Sequence, residues 1–200
     1  MNEDKDIRSD STTVPPGVDD AVGVSDAKWF IAIINNHSEK SIAEKLSKLG
    51  VENYLPTRKE IHLWRNGKKA KVEKIMIPSK IFIRCSEHQR RELVNLPYIF
   101  RFMINMSGTK TQNGTRPLAI VPNHEIQQLK FMLGVPDVDV RFSESFVKGE
   151  KVKVLRGPLR GLVGEILQDA ESGTNRLHIN IDFLGSASVM IESRDVQPIK

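Results

Sequence analysis

Two hundred residues leave room for one large domain or two small ones. Apolar content of 39% and charged content of 28% are those of a globular chain, and no apolar run approaches the ~20 residues of a membrane span. The formal net charge of +5 conceals an asymmetry. Residues 1–27 carry seven acids against Lys5 and Arg8, a net of −5, whereas residues 28–134 carry 19 basic and 8 acidic residues, a net of +11. Residues 135–144 contribute −2 and residues 145–200 contribute +1. A positive field of that size on the middle segment favours a polyanionic partner. The opening MNEDKDIRSD has no apolar core, so no signal peptide is expected. The single cysteine, Cys85, excludes an internal disulfide framework and fits a reducing compartment, with the cytoplasm as the expected location and no membrane partner.

Residues 1–26 are polar, contain Pro15, Pro16 and Gly17, and show no hydrophobic period, so this acidic tail is expected to be disordered. Lys28 to Asn35 is an apolar run of strand length. Ser38 is placed to cap a helix in which Ile42, Leu46 and Leu49 share a face, and Gly50 ends it. Val51 to Pro56 reads as a strand. Lys59 to Lys71 sets Asn66-Gly67 between two alternating segments, a hairpin signal. Lys74 to Arg84 is an apolar strand broken by Pro78. Glu87 to Asn95 reads as a short helix with Leu93, Val94 and Leu96 inward, and Tyr98 to Ile104 as a strand. After a turn-rich loop at Thr109 to Gly114, Asn123 is expected to cap a helix carrying Ile126, Leu129, Phe131, Met132 and Leu133. The order implies an α+β domain over 28–134, an antiparallel sheet flanked by helices.

Residues 135–144, acidic and bearing Pro136, read as a linker. Beyond them every segment alternates. Val152 and Val154 share a face, as do Leu177, Ile179, Ile181 and Phe183, and Val189 and Ile191. Glycines punctuate the runs, which predicts a small all-β barrel over 145–200. Within it, Phe146 to Ile166 (FVKGEKVKVLRGPLRGLVGEI) matches the KOW motif of ribosomal and transcription-elongation proteins.

An α+β domain opening on Trp29-Phe30, followed by a linker and one KOW barrel, resembles the NusG family of transcription elongation factors over about residues 28–200. Pro78-Ser79-Lys80-Ile81-Phe82-Ile83 stands where the family usually reads P-G-Y and then an apolar strand, while Pro117, Val121-Pro122 and the helix from Asn123 to Leu133 fit the end of the domain. Ser79 and Lys80 in place of Gly and Tyr look more like the specialised RfaH and UpxY-type paralogues, the latter serving capsular-polysaccharide operons. The resemblance implies a factor that binds the RNA polymerase clamp through an apolar groove and suppresses pausing or termination. Carried over by position, that surface would draw on Trp29, Phe30, Ile77, Pro78 and Ile81, although strand residues of this kind also fill cores.

The hairpin concentrates Arg58, Arg65, Lys68, Lys69 and Lys71 around Trp64, a composition suited to stacking a base and holding phosphates of non-template DNA or nascent RNA. Arg90, Arg91 and Arg101 are candidate extensions. In the KOW loop, Arg156, Gly157, Arg160 and Gly161 form a turn whose glycines supply unusual backbone angles. In the family this barrel recruits a partner such as Rho or a small-subunit ribosomal protein. A refolding of the barrel to helix, as in RfaH, is opposed by the alternation and the glycines. The alternative reading is a ribosome-associated or general RNA-binding protein using KOW as its RNA module, which the low charge of 145–200 disfavours. His37, His62, His88, His124 and His178 lack metal-ligand spacing, and neither a phosphate-binding glycine loop nor a nucleophile elbow occurs, so neither an enzyme nor a cofactor or metal is expected.

Overall fold

The apolar run at the start of the domain becomes the central strand of the first sheet. A computed structural model describes residues 26–65, 67–136, 138–145, 147–168 and 173–199. The expected tail disorder over 1–25 and the Asn66 position of the hairpin turn lie outside the described residues. In chain order the first part comprises β1 (Lys28–Ile34), α1 (Glu39–Lys48), β2 (Glu52–Tyr54), β3 (Thr57–Leu63), β4 (Lys69–Ile75), β5 (Lys80–Cys85), α2 (Glu87–Leu93), β6 (Ile99–Phe102), β7 (Ile120–Val121) and α3 (Asn123–Gly134). The main sheet runs β2-β5-β1-β6, with β7 also on β1, and every pairing is antiparallel. β1 is apolar throughout because both faces are covered. Phe30, Ala32 and Ile34 pack with Ile42 and Leu46 of α1 and Leu93 of α2, while Trp29 and Ile31 pack with Ile126, Leu129 and Met132 of α3.

β3 and β4 stand apart as a two-stranded sheet. The apolar stretch read as one strand broken by Pro78 is two strands in two sheets. At the break Ser79 takes φ 59°, the left-handed region that favours glycine. The buried carboxylate of Glu39 holds it there, accepting the Ser79 N–H at 3.0 Å, while the Ser79 carbonyl accepts from Ile34 N–H at 3.0 Å. Local expectations needed further correction. Ser38 occupies the cap position of α1 without a side-chain hydrogen bond. Asn123 is the first residue of α3 rather than its cap, and its Oδ1 accepts from Trp29 Nε1 at 2.9 Å. Val94, expected inward, is exposed, as are Leu49 and Phe131; Val94 and Leu49 are the C-terminal caps of α2 and α1, just past the helical residues that meet the sheet.

The second part is a six-stranded antiparallel sheet in the order β13-β9-β10-β11-β12-β8. Its strands are β8 (Val140–Ser143), β9 (Glu150–Val154), β10 (Val163–Gln168), β11 (Asn175–Ile181), β12 (Gly185–Met190) and β13 (Val196–Pro198). β8 corrects the expected linker: Val140 to Ser143 pair with β12, since Val140 and Phe142 carry the sheet's own alternation. Val152, Val154, Leu177, Ile179, Ile181 and Val189 are buried on one continuous core. Phe183 departs from the β11 alternation; at φ 70° it lies in the turn, and Leu184 takes the buried place. The described part of 145–199 is otherwise strand and loop, with one short 3₁₀ turn at Ser193–Asp195.

The two parts share a hydrophobic cluster, and α3 lies against β11. Glu125 of α3 accepts the Asp182 N–H at 2.7 Å across that contact. No helix among the described residues is long and apolar enough to cross a membrane.

Candidate functional site

The β3–β4 hairpin projects a basic ladder because its register sets Arg58 opposite Lys74, Ile61 opposite Lys71 and Leu63 opposite Lys69. Alternation places Thr57, Lys59, Ile61, Lys71 and Glu73 on one face. At the tip, Gly67 takes φ 76° and donates its N–H to the Trp64 carbonyl at 2.9 Å, and Trp64 N–H donates to the Lys68 carbonyl. This is a turn closed by a left-handed glycine. Trp64 is 52% exposed.

Between the hairpin and the C-terminal end of α3 runs a groove of about 780 Å³. Tyr54, Leu133, Val135 and Pro136 make its apolar side, and Ile61, 68% exposed, contributes from the hairpin. Its cationic side is made by Arg58, Lys59, Lys71 and Lys130. Lys130 Nζ lies 5.0 Å from the ring centres of both Trp29 and Tyr54, and Tyr54 stacks on Phe82 with centroids 6.0 Å apart. A cation held over two aromatic faces is fixed by their quadrupoles and keeps its charge at the groove edge. Burial pushes the Tyr54 hydroxyl far above its ordinary range, so it stays a neutral phenol.

The groove's two carboxylates are engaged. Glu73 accepts from Thr57 Oγ1 at 2.9 Å and pairs with Lys40 at 3.1 Å. The Lys40 bond leads in holding its carboxyl below the usual range. Glu60 pairs with Lys74 at 3.3 Å. Among the described residues Arg58 Nη1 is buried without a hydrogen-bond partner, while Lys59 faces Glu73 across the ladder and adds to the field that lowers its carboxyl.

The residues expected at the two surfaces are therefore placed differently. Arg58 and Lys71 line the groove, Trp64, Arg65 and Lys68 form the tip, and Lys69 opens β4. Of the five positions assigned to polymerase, Trp29, Phe30, Ile77 and Ile81 are interior side chains and only Pro78 is exposed. None of the five lines the groove: Trp29 and Ile77 pack beneath its α3 side, whereas Phe30 and Ile81 lie on the opposite face of the sheet with α1 and α2. Arg90 is no free extension of the patch. Its guanidinium makes two hydrogen bonds to Glu87, at 2.9 and 2.7 Å, and lies over Phe102. That pairing holds the Glu87 carboxyl below the usual range. Arg91 and Arg101 lie at the surface, on α2 and β6. Lys130 and Tyr54 were not singled out from sequence. The available signal was Lys130 as the sole Lys or Arg in α3.

In the second sheet, Gly157 and Gly161 take φ 78° and 94°. Gly161 N–H donates to the Val154 carbonyl at 2.9 Å, which lets Leu159 and Leu162 turn inward and leaves Arg156 and Arg160 outside. Cys85 is buried, which pushes its thiol up to about 11 and makes it a poor nucleophile. Among the described residues no cluster of three or more His, Cys, Asp or Glu could hold a metal ion.

Residues 27–130 match the family model described as transcription termination factor nusG. The chain belongs to the NusG family. A Rickettsia conorii protein named transcription termination/antitermination protein NusG is 25% identical over 171 residues, covering 80% of this chain and 84% of that protein. A solved structure described as domain interaction in Thermotoga maritima NusG is 19% identical, with a TM-score of 0.42, covering 87% of this chain and 98% of its own. The family assignment rests on the match over 27–130, which spans the main sheet, the hairpin and most of α3.

Proposed function

We propose that this NusG-family chain is a transcription elongation and antitermination factor that binds RNA polymerase and suppresses pausing or termination. The observation that carries the proposal is the groove between hairpin and α3, apolar on one side and cationic on the other. Such a groove suits an amphipathic, acidic helix of the polymerase clamp: the apolar face seats on Tyr54, Ile61 and Leu133 while carboxylates meet Arg58, Lys59 and Lys71. The hairpin tip then reaches past the clamp, where Trp64 stacks on a base of non-template DNA or nascent RNA and Arg65, Lys68 and Lys69 hold its phosphates. The mechanism is a shift in a conformational equilibrium of the polymerase, with no covalent chemistry.

Ser79 and Lys80 support the finer assignment to an operon-specific, UpxY-type factor, with capsular-polysaccharide operons as the target class. The C-terminal sheet serves as the KOW barrel, and its exposed Arg156–Arg160 loop is the docking face for Rho or a small-subunit ribosomal protein. Co-purification with RNA polymerase and a pause assay test the proposal. Binding with longer read-through is expected, and absence of both effects overturns it. The second reading, an RNA-binding module centred on Arg156 and Arg160, predicts that reversing those two charges weakens RNA binding more than reversing Lys69 and Lys71.

A further inference from the structure

The hairpin joins the main sheet through Pro56 on one side and Ser79 on the other, and Met76 N–H donates to the Pro56 carbonyl at 2.9 Å. That bond ties the two connections to each other. The polar ties from the hairpin to the rest of the domain come from the first turn of α1. Glu39, 2% exposed, accepts the Ser79 N–H at 3.0 Å, and Ser79 holds φ 59°. A left-handed serine is disfavoured, so without this acceptor the backbone at Ser79 gains other accessible angles. One residue on, Lys40 Nζ donates to the Glu73 carbonyl at 2.9 Å and pairs with the Glu73 carboxylate at 3.1 Å. Glu73 in turn holds Thr57 of the facing strand. Packing does not account for Glu39. Its Oε2 is buried with no hydrogen-bond partner among the described residues, a cost to stability that an apolar side chain would avoid.

We infer that the first turn of α1 aims the hairpin and so sets the width of the groove, with Glu39 as a positioning residue that acts through Ser79. The hairpin supplies one whole wall of the groove, from Thr57 to Ile61 on β3 and through Lys71 and Glu73 on β4. That wall moves as a unit. A rotation of about 10° at the foot of a hairpin with seven-residue strands carries its tip about 4 Å. The opposite wall, Lys130 and Leu133 of α3, stays with the main sheet. Glu39 touches nothing that enters the groove, yet it decides how far apart the two walls stand. Lys40 is the second tie, from the same helical turn to the same strand. The tip is a different matter: Trp64, Arg65 and Lys68 travel with the hairpin, so their contacts do not depend on its direction. The consequence for polymerase rests on the function proposed above, whereas the positioning itself does not.

The test measures the distance between nitroxides on Lys69→Cys of β4 and Gln127→Cys of α3 in the full chain, both positions being exposed and Cys85 buried. Glu39→Ala should broaden or shift the distance distribution by about 4 Å or more. Glu39→Gln keeps an oxygen for the Ser79 N–H and should leave it narrow. Adding Ser79→Gly to Glu39→Ala should restore most of the parent distribution, because glycine adopts φ 59° without a clamp. A role in packing alone predicts no such rescue, and its absence overturns the inference, as does an unchanged distribution in Glu39→Ala. Lys40→Ala leaves the core untouched and keeps the idea falsifiable should Glu39→Ala fail to fold. It should broaden the distribution at an unchanged melting temperature, and a distribution identical to the parent's overturns the α1 turn as the mount. In a second arm, Glu39→Ala should lower RNA polymerase affinity roughly fivefold, since only a fraction of hairpins then present a groove of the right width. Single-stranded oligonucleotide affinity should stay the same. Equal loss of both would place Glu39 in general stability and overturn the positioning role. A parent chain that does not bind polymerase overturns the proposed function, and the nitroxide distances still decide the positioning.

Discussion

The β3–β4 hairpin and the C-terminal sheet are both antiparallel and both turn on left-handed glycines, yet they are held together in opposite ways. In the sheet, Val152 and Val154 of β9 and Leu177, Ile179 and Ile181 of β11 alternate into the core, and the first five residues of β12 are all buried, so one-residue register shifts are opposed by the core. In the hairpin no described residue of β3 or β4 is fully buried, and the strand faces carry charge and an exposed Ile61. Its order comes from the ladder, from the Lys40–Glu73 pair and from the clamp that Glu39 places on Ser79. An element with so little core of its own keeps its exposed groups for contact with something else.

The sharpest break of that comparison is a methyl group added to each region. At Gly164 a Cβ would sit 2.4 Å from the His178 carbonyl oxygen, a backbone atom of the paired strand. Gly164→Ala should therefore cost about 3 kcal/mol or more and shift the denaturation midpoint strongly. At Gly67 nothing lies within 4 Å of the added methyl, and only the φ of 76° opposes it. Gly67→Ala should cost about 1–2 kcal/mol and leave the C-terminal sheet's amide protection unchanged. Equal losses would mean that the hairpin is as tightly determined as the sheet.

Charge reversal should invert the order. Lys59, Lys69 and Lys71 changed together to Glu should lower single-stranded oligonucleotide affinity by more than tenfold and reduce its salt slope by about 2, with little change in melting temperature. The matching change at Arg156 and Arg160 should have a much smaller effect on the same titration. Trp64→Ala comes next: loss of one stacked base is worth about 1–3 kcal/mol of affinity at most, while stability should move by no more than about 0.5 kcal/mol. A stability loss well beyond that would place the ring in a packing role.

The β1 run, the three helices and the C-terminal alternation were legible because burial writes a period into sequence. The α3 helix was read to within a few residues for that reason, and so were the buried faces of β9 and β11. The misread positions have other causes. Leu49 and Val94 are apolar residues at the caps just past α1 and α2, where the helical period no longer governs burial, and Phe131 is an exposed apolar residue within α3. Val140 to Ser143 were hidden in an acidic stretch because the strand is only four residues long. The groove was the least legible feature: Tyr54, Lys71 and Lys130 come from three distant elements, and only tertiary packing brings them to one cavity. Trp29 and Ile77, prominent in sequence, turn out to be what the wall rests on.

The contact between α3 and the C-terminal sheet provides the smallest and most specific test. Burial at that contact pushes the Glu125 carboxyl above its ordinary range, and Asp182 adds to the rise, while the Asp182 N–H and His124 oppose it. A carboxyl whose pKa is raised on docking holds its proton more tightly docked than undocked. The contact between α3 and β11 should therefore be strongest below the ordinary carboxylate range of about 4.3 and weaken as pH rises through the raised pKa of Glu125. Amide exchange at Asp182 across that window should show faster opening at the higher pH. Glu125→Gln keeps an oxygen for the Asp182 N–H and removes the titrating proton, so it should flatten the dependence without abolishing protection. A contact that strengthens with rising pH would show that hydrogen bonding to the charged form outweighs burial, and would make the Glu125 carboxylate the anchor of the docked arrangement.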